Sequence, residues 1–367
     1  MNFDLDDQQL MLRDLVARFA ADRYDIDKRA RYRRSPEGFA AENWAMLAEL
    51  GLLGLPFSED LGGIGNGIID TITVAEELGR GLVGEPWLSD LLMAARLLER
   101  AGSDAQRAAW IGRIIAGEAR LALAHAEQRA RYNPNYVATE ARDGVLNGSK
   151  TFVLAGAGVD AFLVTAREAG GVADPSGIGV WIVPSDARGL ERRDYRLTDG
   201  SVACELRLHG VAAADRLPGE AAAALADTFD EARIAACAEM VGIMDMLLNA
   251  TIEHVRTRKQ FGQPIGSFQA IQHRMAQLYV RLEQSRSHLL RAALASDDGG
   301  RSLAIAGAKA FVSENAVLLG EDCIQLHGGM GVTEELPIGH GHKRILLLAN
   351  LFGDPEAELA RYVQLAA

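Results

Sequence analysis

Arg258-Lys-Gln-Phe-Gly-Gln-Pro-Ile-Gly-Ser-Phe-Gln-Ala-Ile-Gln-His273 is the stretch on which the reading of this chain turns. A basic helix end runs into a tight Gly/Pro turn, and a second helix then starts on an aromatic and a glutamine. That order places a guanidinium, an aromatic face and an amide around one loop, groups suited to a diphosphate beside an aromatic ring. In isolation Arg256, Arg258 and Lys259 would only complement the negative end of the helix before them. Downstream, Gln325-Leu-His-Gly-Gly-Met-Gly331 closes another helix, and its glycines alone are ordinary terminators.

Outward from this loop the pattern is helical. Ile234, Cys237, Val241, Met244, Leu248, Ile252 and Val255 recur every three or four residues, and Phe268, Ile271, Met275, Leu278 and Leu282 repeat the period after the turn. Ser302 to Leu326 is alanine-rich, as close helix packing requires. Residues 217–367 are therefore expected to form a helical bundle. Residues 119–216 carry short strand-like segments: Leu121–His125, Val153–Leu154, Phe162–Thr165, Val180–Pro184 and Cys204–Leu208. Asp143-Gly144, Asn147-Gly148 and Pro175-Ser-Gly177 read as turns between them. Residues 1–118 are helical again. Asp6 with Gln9 forms a capping pair, Leu12, Leu15, Val16 and Phe19 share a face, and Glu42–Leu53, Ala75–Leu82 and Ser89–Ala101 follow. The fold class is α+β, mainly α: an N-terminal helical domain, a middle β-barrel or sandwich domain and a C-terminal four-helix bundle.

The length of 367 residues exceeds a single core, in keeping with several subdomains. A net charge of −12 with no basic block argues against a nucleic-acid surface. Cys204, Cys237 and Cys323 lack CxxC spacing and read as buried thiols of a reducing cytoplasm. The acidic start, Met-Asn-Phe-Asp-Leu-Asp-Asp, is not followed by an apolar signal core, and no apolar run is expected to reach the ~18 residues of a membrane span. A cytoplasmic location follows as an expectation. No GxGxxG follows a strand and no Walker A sequence occurs, which disfavours Rossmann and P-loop readings. His340-Gly-His342 lacks carboxylate or cysteine partners at ligand spacing, so no metal site is expected.

Taken together, the 258–273 stretch, the Gln325–Gly331 stretch and the domain order closely resemble the acyl-CoA dehydrogenases. Leu53-Gly-Leu-Pro-Phe with Gly62-Gly63, the Asn147-Gly-Ser-Lys150 turn and Phe229-Asp-Glu-Ala-Arg233 are similar to further family segments. The resemblance implies bound FAD, an acyl-CoA substrate oxidised to the 2,3-enoyl-CoA, and electron-transfer flavoprotein as acceptor. A carboxylate takes the α-proton while the β-hydride goes to the flavin. It also implies dimers or tetramers in which the adenine-diphosphate end of each flavin reaches the neighbouring chain. Arg258, Gln260, Phe261, Gln269, Gln325, Gly328 and Gly329 match those contacting positions, and Phe152 matches the aromatic that stacks on the flavin ring.

The departures from the family pattern are specific. The segment that carries the base in many members reads Leu351-Phe-Gly-Asp354, so Phe352 stands for the glutamate. The second known location of the base, just before the arginine of the long helix, holds Ala232. Asp354 and Glu231 are the nearest alternative acids, each with a plain reading as a helix-capping or solvated group. Thr/Ser-Glu-Pro has become Ala126-Glu127-Gln128, Gly-Ser-Asp has become Arg131-Tyr132-Asn133, and Trp-Ile-Thr has become Phe152-Val153-Leu154, which removes a hydroxyl donor. Retained cross-subunit positions beside a missing base resemble the small subunit of pimeloyl-CoA dehydrogenase-type and steroid side-chain heteromeric enzymes. A self-sufficient homo-oligomer with a displaced carboxylate, and a non-catalytic flavin- or acyl-CoA-binding homologue, are the alternatives.

Overall fold

The computed structural model describes residues 5–65, 67–213, 215–219, 221–296 and 300–367. The chain divides into two compact units. One comprises residues 1–30, 68–83 and 233–367, and the other residues 31–67 and 84–232.

The first unit is helical. Helix α1 (Asp7–Arg23) opens with the expected capping box: the Asp6 carboxylate accepts from Gln9 N, and the Gln9 side chain accepts from Asp6 N. Helix α2 (Ile26–Tyr32) begins in this unit, and helix α3 (Ala41–Glu49) belongs to the other. Helix α4 (Ile68–Arg80) packs on α1, and starts earlier than the Ala75–Leu82 pattern indicated. From residue 233 the unit contains most of helix α7 (Ala221–Thr257), then α8 (Gln269–Ala293), α9 (Gly300–His327), α10 (Pro337–Asn350) and α11 (Pro355–Ala366). Helix α9 is the axis, touching α8, α10 and α11.

All but one of the seven apolar positions expected along α7 are buried, Ile252 being the half-buried one. On α8 the expectation holds only for Leu278 and Leu282; Phe268, Ile271 and Met275 stay partly exposed. Contrary to the sequence expectation, α7 and the segment Gly300–Val332 are long and apolar enough to cross a membrane by length and composition. Their most apolar windows are 78% and 61% buried against other protein, because they are core helices of the bundle.

The second unit contains one hydrogen-bonded sheet of seven strands. They are β1 (Leu121–Ala124), β2 (Glu140–Arg142), β3 (Val145–Leu154), β4 (Ala161–Arg167), β5 (Ile178–Pro184), β6 (Leu190–Arg196) and β7 (Val202–Ala212). The order is β1-β4-β2-β3-β7-β6, with β5 added on β4. The pairings of β4 with β1 and β2 are parallel and the others antiparallel. The core beneath the sheet includes Leu146, Val153, Phe162, Trp181, Cys204 and Leu206.

One sequence expectation is corrected in this unit. Asn147-Gly148 is not a turn but an irregularity inside β3, where the register with β7 shifts between Leu146 and Gly148. Gly148 (φ +152°) is required there, since a Cβ would come within 2.6 Å of Thr139 Oγ1. Ser89–Ala101 is helical as expected, in two forms: Trp87–Ala95 is a π-helix, followed by α5 (Arg96–Ala101) and then α6 (Asp104–Ile115). Buried anchors fix its wide turn: Trp87 Nε1 donates to Leu52 O at 2.9 Å, and Asp90 pairs with Arg120 at 2.7 Å.

Candidate flavin and acyl-CoA site

The decisive stretch folds as its residue types dictate. Helix α7 ends at Thr257, and strands β8 (Lys259–Gln260) and β9 (Gln263–Pro264) pair across a two-residue loop. Both loop residues, Phe261 (φ +52°) and Gly262 (φ +81°), are left-handed, the pattern of a type I′ hairpin. A phenylalanine there costs roughly 1–3 kcal/mol of backbone strain. Its ring is 91% exposed and meets Phe268 edge-on at 6.1 Å. Ile265 N donates to Arg258 O at 2.8 Å, and Gln272 Nε2 to Gly266 O at 3.1 Å, folding the loop back on the start of α8.

The ends of α7 and α9 meet through His254 and His327, whose rings stack at 4.2 Å. Arg258, Gln260, Gln269, Gln325, Gly328 and Gly329 are all exposed around this end. A Cβ on Gly328 or Gly329 would meet no atom within 4 Å, so both glycines face open space. Arg258 forms no ion pair among the described residues. A cavity of about 520 Å³ lies alongside, lined by Ile252, Val255, Ile271 and Met275 with Arg256 and Gln272. A free guanidinium, side-chain amides, an open glycine turn and an exposed aromatic fit the adenine-diphosphate half of FAD.

The position of the expected base looks different. Phe352 has left-handed backbone (φ +69°), and the Arg233 guanidinium lies 5.5 Å from its ring centroid. Arg233 Nη2 donates to Phe352 O at 3.3 Å, and Nε donates to Glu358 Oε1 at 2.6 Å. This ion pair is sealed, with side chains 8% and 2% exposed. Lys309 is fully buried and donates to Ser313 Oγ (3.1 Å), Ala349 O (2.9 Å) and Gly353 O (3.1 Å). Burial pushes its amine down to about 8 and raises the nearby Cys237 thiol to about 12. Asp354 caps α11 by accepting from Ala357 N at 2.8 Å. Ala232 is buried in α7.

In the second unit, Glu231 is engaged by two guanidiniums. Arg96 Nε reaches both of its oxygens at 3.2 and 3.1 Å, and Arg100 Nη2 bonds Oε2. Phe152 (φ +54°) stands where the β3–β7 register shifts between Lys150 and Val153, and Leu154 ends the strand with an apolar side chain. Beside it Lys150 is wholly buried and pairs with Glu127 at 2.7 Å. Glu127 also accepts from Ala138 N, Thr139 N and Thr139 Oγ1, tying down the loop from Gln128 to Val137.

Lys150 donates to Thr165 Oγ1 (3.0 Å), which in turn lies within hydrogen-bond distance of His125 Nδ1 (3.2 Å). Burial, and then the Lys150 charge, push His125 down to about 3, and its imidazole is neutral. Lys309, Glu358 and His125 escaped the sequence reading. The available signal for Lys309 was a lysine on the buried face of an alanine-rich helix; for Glu358 and His125 there was none.

Comparison with known proteins agrees with these features. Residues 6–118 match the N-terminal domain of acyl-CoA dehydrogenases and residues 222–363 match their C-terminal domain. A probable acyl-CoA dehydrogenase of Bacillus subtilis, YngJ, is 31% identical over 99% of this chain and 98% of its own length. Among solved structures, the ChsE4–ChsE5 complex of Mycobacterium tuberculosis superposes with a TM-score of 0.88 at 25% identity, over 99% of this chain and 98% of that one. The FAD complex of PigA superposes at 0.89 and 26% identity, over the full length of both. With two family domains matched and a relative above 30% identity along the whole chain, this protein belongs to the acyl-CoA dehydrogenase family, FAD-dependent oxidoreductases that act on CH–CH bonds.

Proposed function

We propose that this chain is the subunit without the usual base in a heteromeric acyl-CoA dehydrogenase, working beside a related chain that supplies the glutamate. The observation that carries the reading is the environment of position 352. An aromatic ring lies there over Arg233, and Arg233 is already neutralised by Glu358 in a sealed pair. The fallback acids have other work: Glu231 is held by Arg96 and Arg100, and Asp354 caps α11. A general base needs a reachable carboxylate, and none of these is free to move to a substrate.

The open end at Arg258, Phe261, Gln325 and Gly328 supports the other half of the proposal, service to a flavin bound mainly by the neighbouring chain. Similarity to a two-chain complex, ChsE4–ChsE5, points the same way. In this reading Phe152 faces the flavin ring, the acyl-CoA is bulky or dicarboxylic, the acceptor is electron-transfer flavoprotein, and the location is cytoplasmic. The test is to purify the chain alone and co-expressed with a related chain carrying the glutamate. Flavin content and bleaching by acyl-CoA thioesters are then measured in both. The reading expects an inert chain alone and an active complex. Stoichiometric flavin that turns over in the chain alone refutes it.

A further inference from the structure

The pairing of His254 with His327 is not explained by the family match, and it brings the end of α7, just before one signature stretch, against the end of α9 in the other. We propose that this stack makes capture of a diphosphate at the Arg258 end a proton-linked event, with His254 taking up the proton. The inference rests on the reading of this end as a diphosphate site. His254 sits one helical turn before Arg258, whose N–H closes the helix on His254 O at 2.8 Å. His327 is the last residue of α9, directly before the open Gly328-Gly329 turn.

The two rings are not equivalent. His327 Nδ1 lies 2.8 Å from Cys323 O, and since a carbonyl only accepts, that nitrogen carries a hydrogen in every protonation state. His327 is 8% exposed, whereas His254 is only half-buried and the more accessible of the two. Burial, then the His327 ring, then the Arg258 guanidinium lower the affinity of His254 for a proton. The other charges nearby are committed: Glu253 pairs with Arg256 at 3.2 Å on α7, and Asp322 on α9 pairs with Arg274 of α8 at 3.5 Å. The Gly328–Val332 turn contains no titratable side chain.

An anion that binds Arg258 neutralises the guanidinium that opposes protonation and adds its own attraction. Protonation of His254 and capture of the diphosphate must then favour each other by the same factor. With one linked proton, affinity rises as pH falls, by at most about tenfold for each pH unit, until the free-state His254 itself titrates.

The experiment titrates ADP-ribose, a diphosphate esterified at both ends and so without a phosphate that titrates near neutrality, calorimetrically into the full chain at about pH 6, in two buffers of different ionisation enthalpy. The heat difference counts protons. The expected result is net proton uptake on binding in the native chain. In His254→Phe, which keeps an aromatic ring for the stack, ADP-ribose still binds and uptake vanishes. Binding without uptake in the native chain, or uptake that survives in His254→Phe, overturns the inference and leaves the diphosphate site standing. No ADP-ribose binding at any pH overturns both.

Discussion

Replacing Glu358 by glutamine tests whether the sealed pair beneath Phe352 is what fixes the loop where the family's base would stand. Arg233 and Glu358 are 8% and 2% exposed and touch at 2.6 Å. With charge centres about 4 Å apart and an effective dielectric near 20, their attraction is about 4 kcal/mol. A glutamine returns about 1 kcal/mol as a neutral hydrogen bond. The net loss of about 3 kcal/mol falls on the joint between α10 and α11, because Arg233 also holds Phe352 O and Gly353 packs against Glu358. At 1.36 kcal/mol per decade, amide exchange in peptides spanning 345–361 accelerates about a hundredfold, read by native-state hydrogen exchange. Phe352→Glu combined with Glu358→Gln returns a carboxylate to Arg233 and is expected to recover at least tenfold of that protection. Less than threefold acceleration in Glu358→Gln, or equal acceleration throughout the β sheet, refutes the argument.

Three further outcomes follow from the same geometry. Lys150→Met strands Glu127 in the sheet unit and costs about 3–5 kcal/mol in urea unfolding, while Glu127→Gln added to it costs less than the sum, because the charge left behind is removed. His125 keeps a neutral ring to about pH 3 in the fold but binds a proton near pH 6.5 when unfolded, so stability falls as pH drops through that window, by about 2 kcal/mol between pH 6.5 and 5. His125→Leu removes this acid sensitivity, seen as a flatter dependence of the urea midpoint on pH. Phe261→Gly relieves the left-handed backbone at the hairpin and raises the stability of the isolated chain by up to about 1 kcal/mol, while FAD dissociates faster from the assembled protein, measured by flavin fluorescence.

What the sequence disclosed and what it hid divide along physical lines. The tight turn within 258–273 was legible because Gly262 and Pro264 shape the backbone locally, though its β8–β9 pairing was not, and α7 was legible because its burial has a helical period. Strand β6, Leu-Glu-Arg-Arg-Asp-Tyr-Arg, escaped because it lies at the sheet edge with mostly exposed charged side chains, where alternation carries no hydrophobic signal. The π-helix escaped because its anchors, Leu52 and Arg120, are 35 and 30 residues away. Glu358 is legible only through Arg233, 125 residues before it; Lys309 had a local signal in its alanine-rich helix, but its partner Gly353 lies 44 residues after it. Buried charges are stable only with such partners, and a local pattern does not disclose them.

The backbone at position 352 is strained and is held by its surroundings. Arg131, Phe152, Phe261 and Phe352 all have φ between +49° and +69°, and all lie in segments that the family resemblance assigns to flavin or substrate. Each holds roughly 1–3 kcal/mol, which persists only where the surrounding structure fixes the conformation. At 352 that strain is sustained by three bonds from two buried cations, Lys309 to Ala349 O and Gly353 O, and Arg233 to Phe352 O. Burial holds the Lys309 amine at about 8 and disfavours its charged form, so the bonds it gives this loop carry a cost of their own. Under the proposed reading that cradle holds the Phe352 ring as an apolar wall at fixed depth, and the co-expressed complex is the form in which Phe352 variants are to be read.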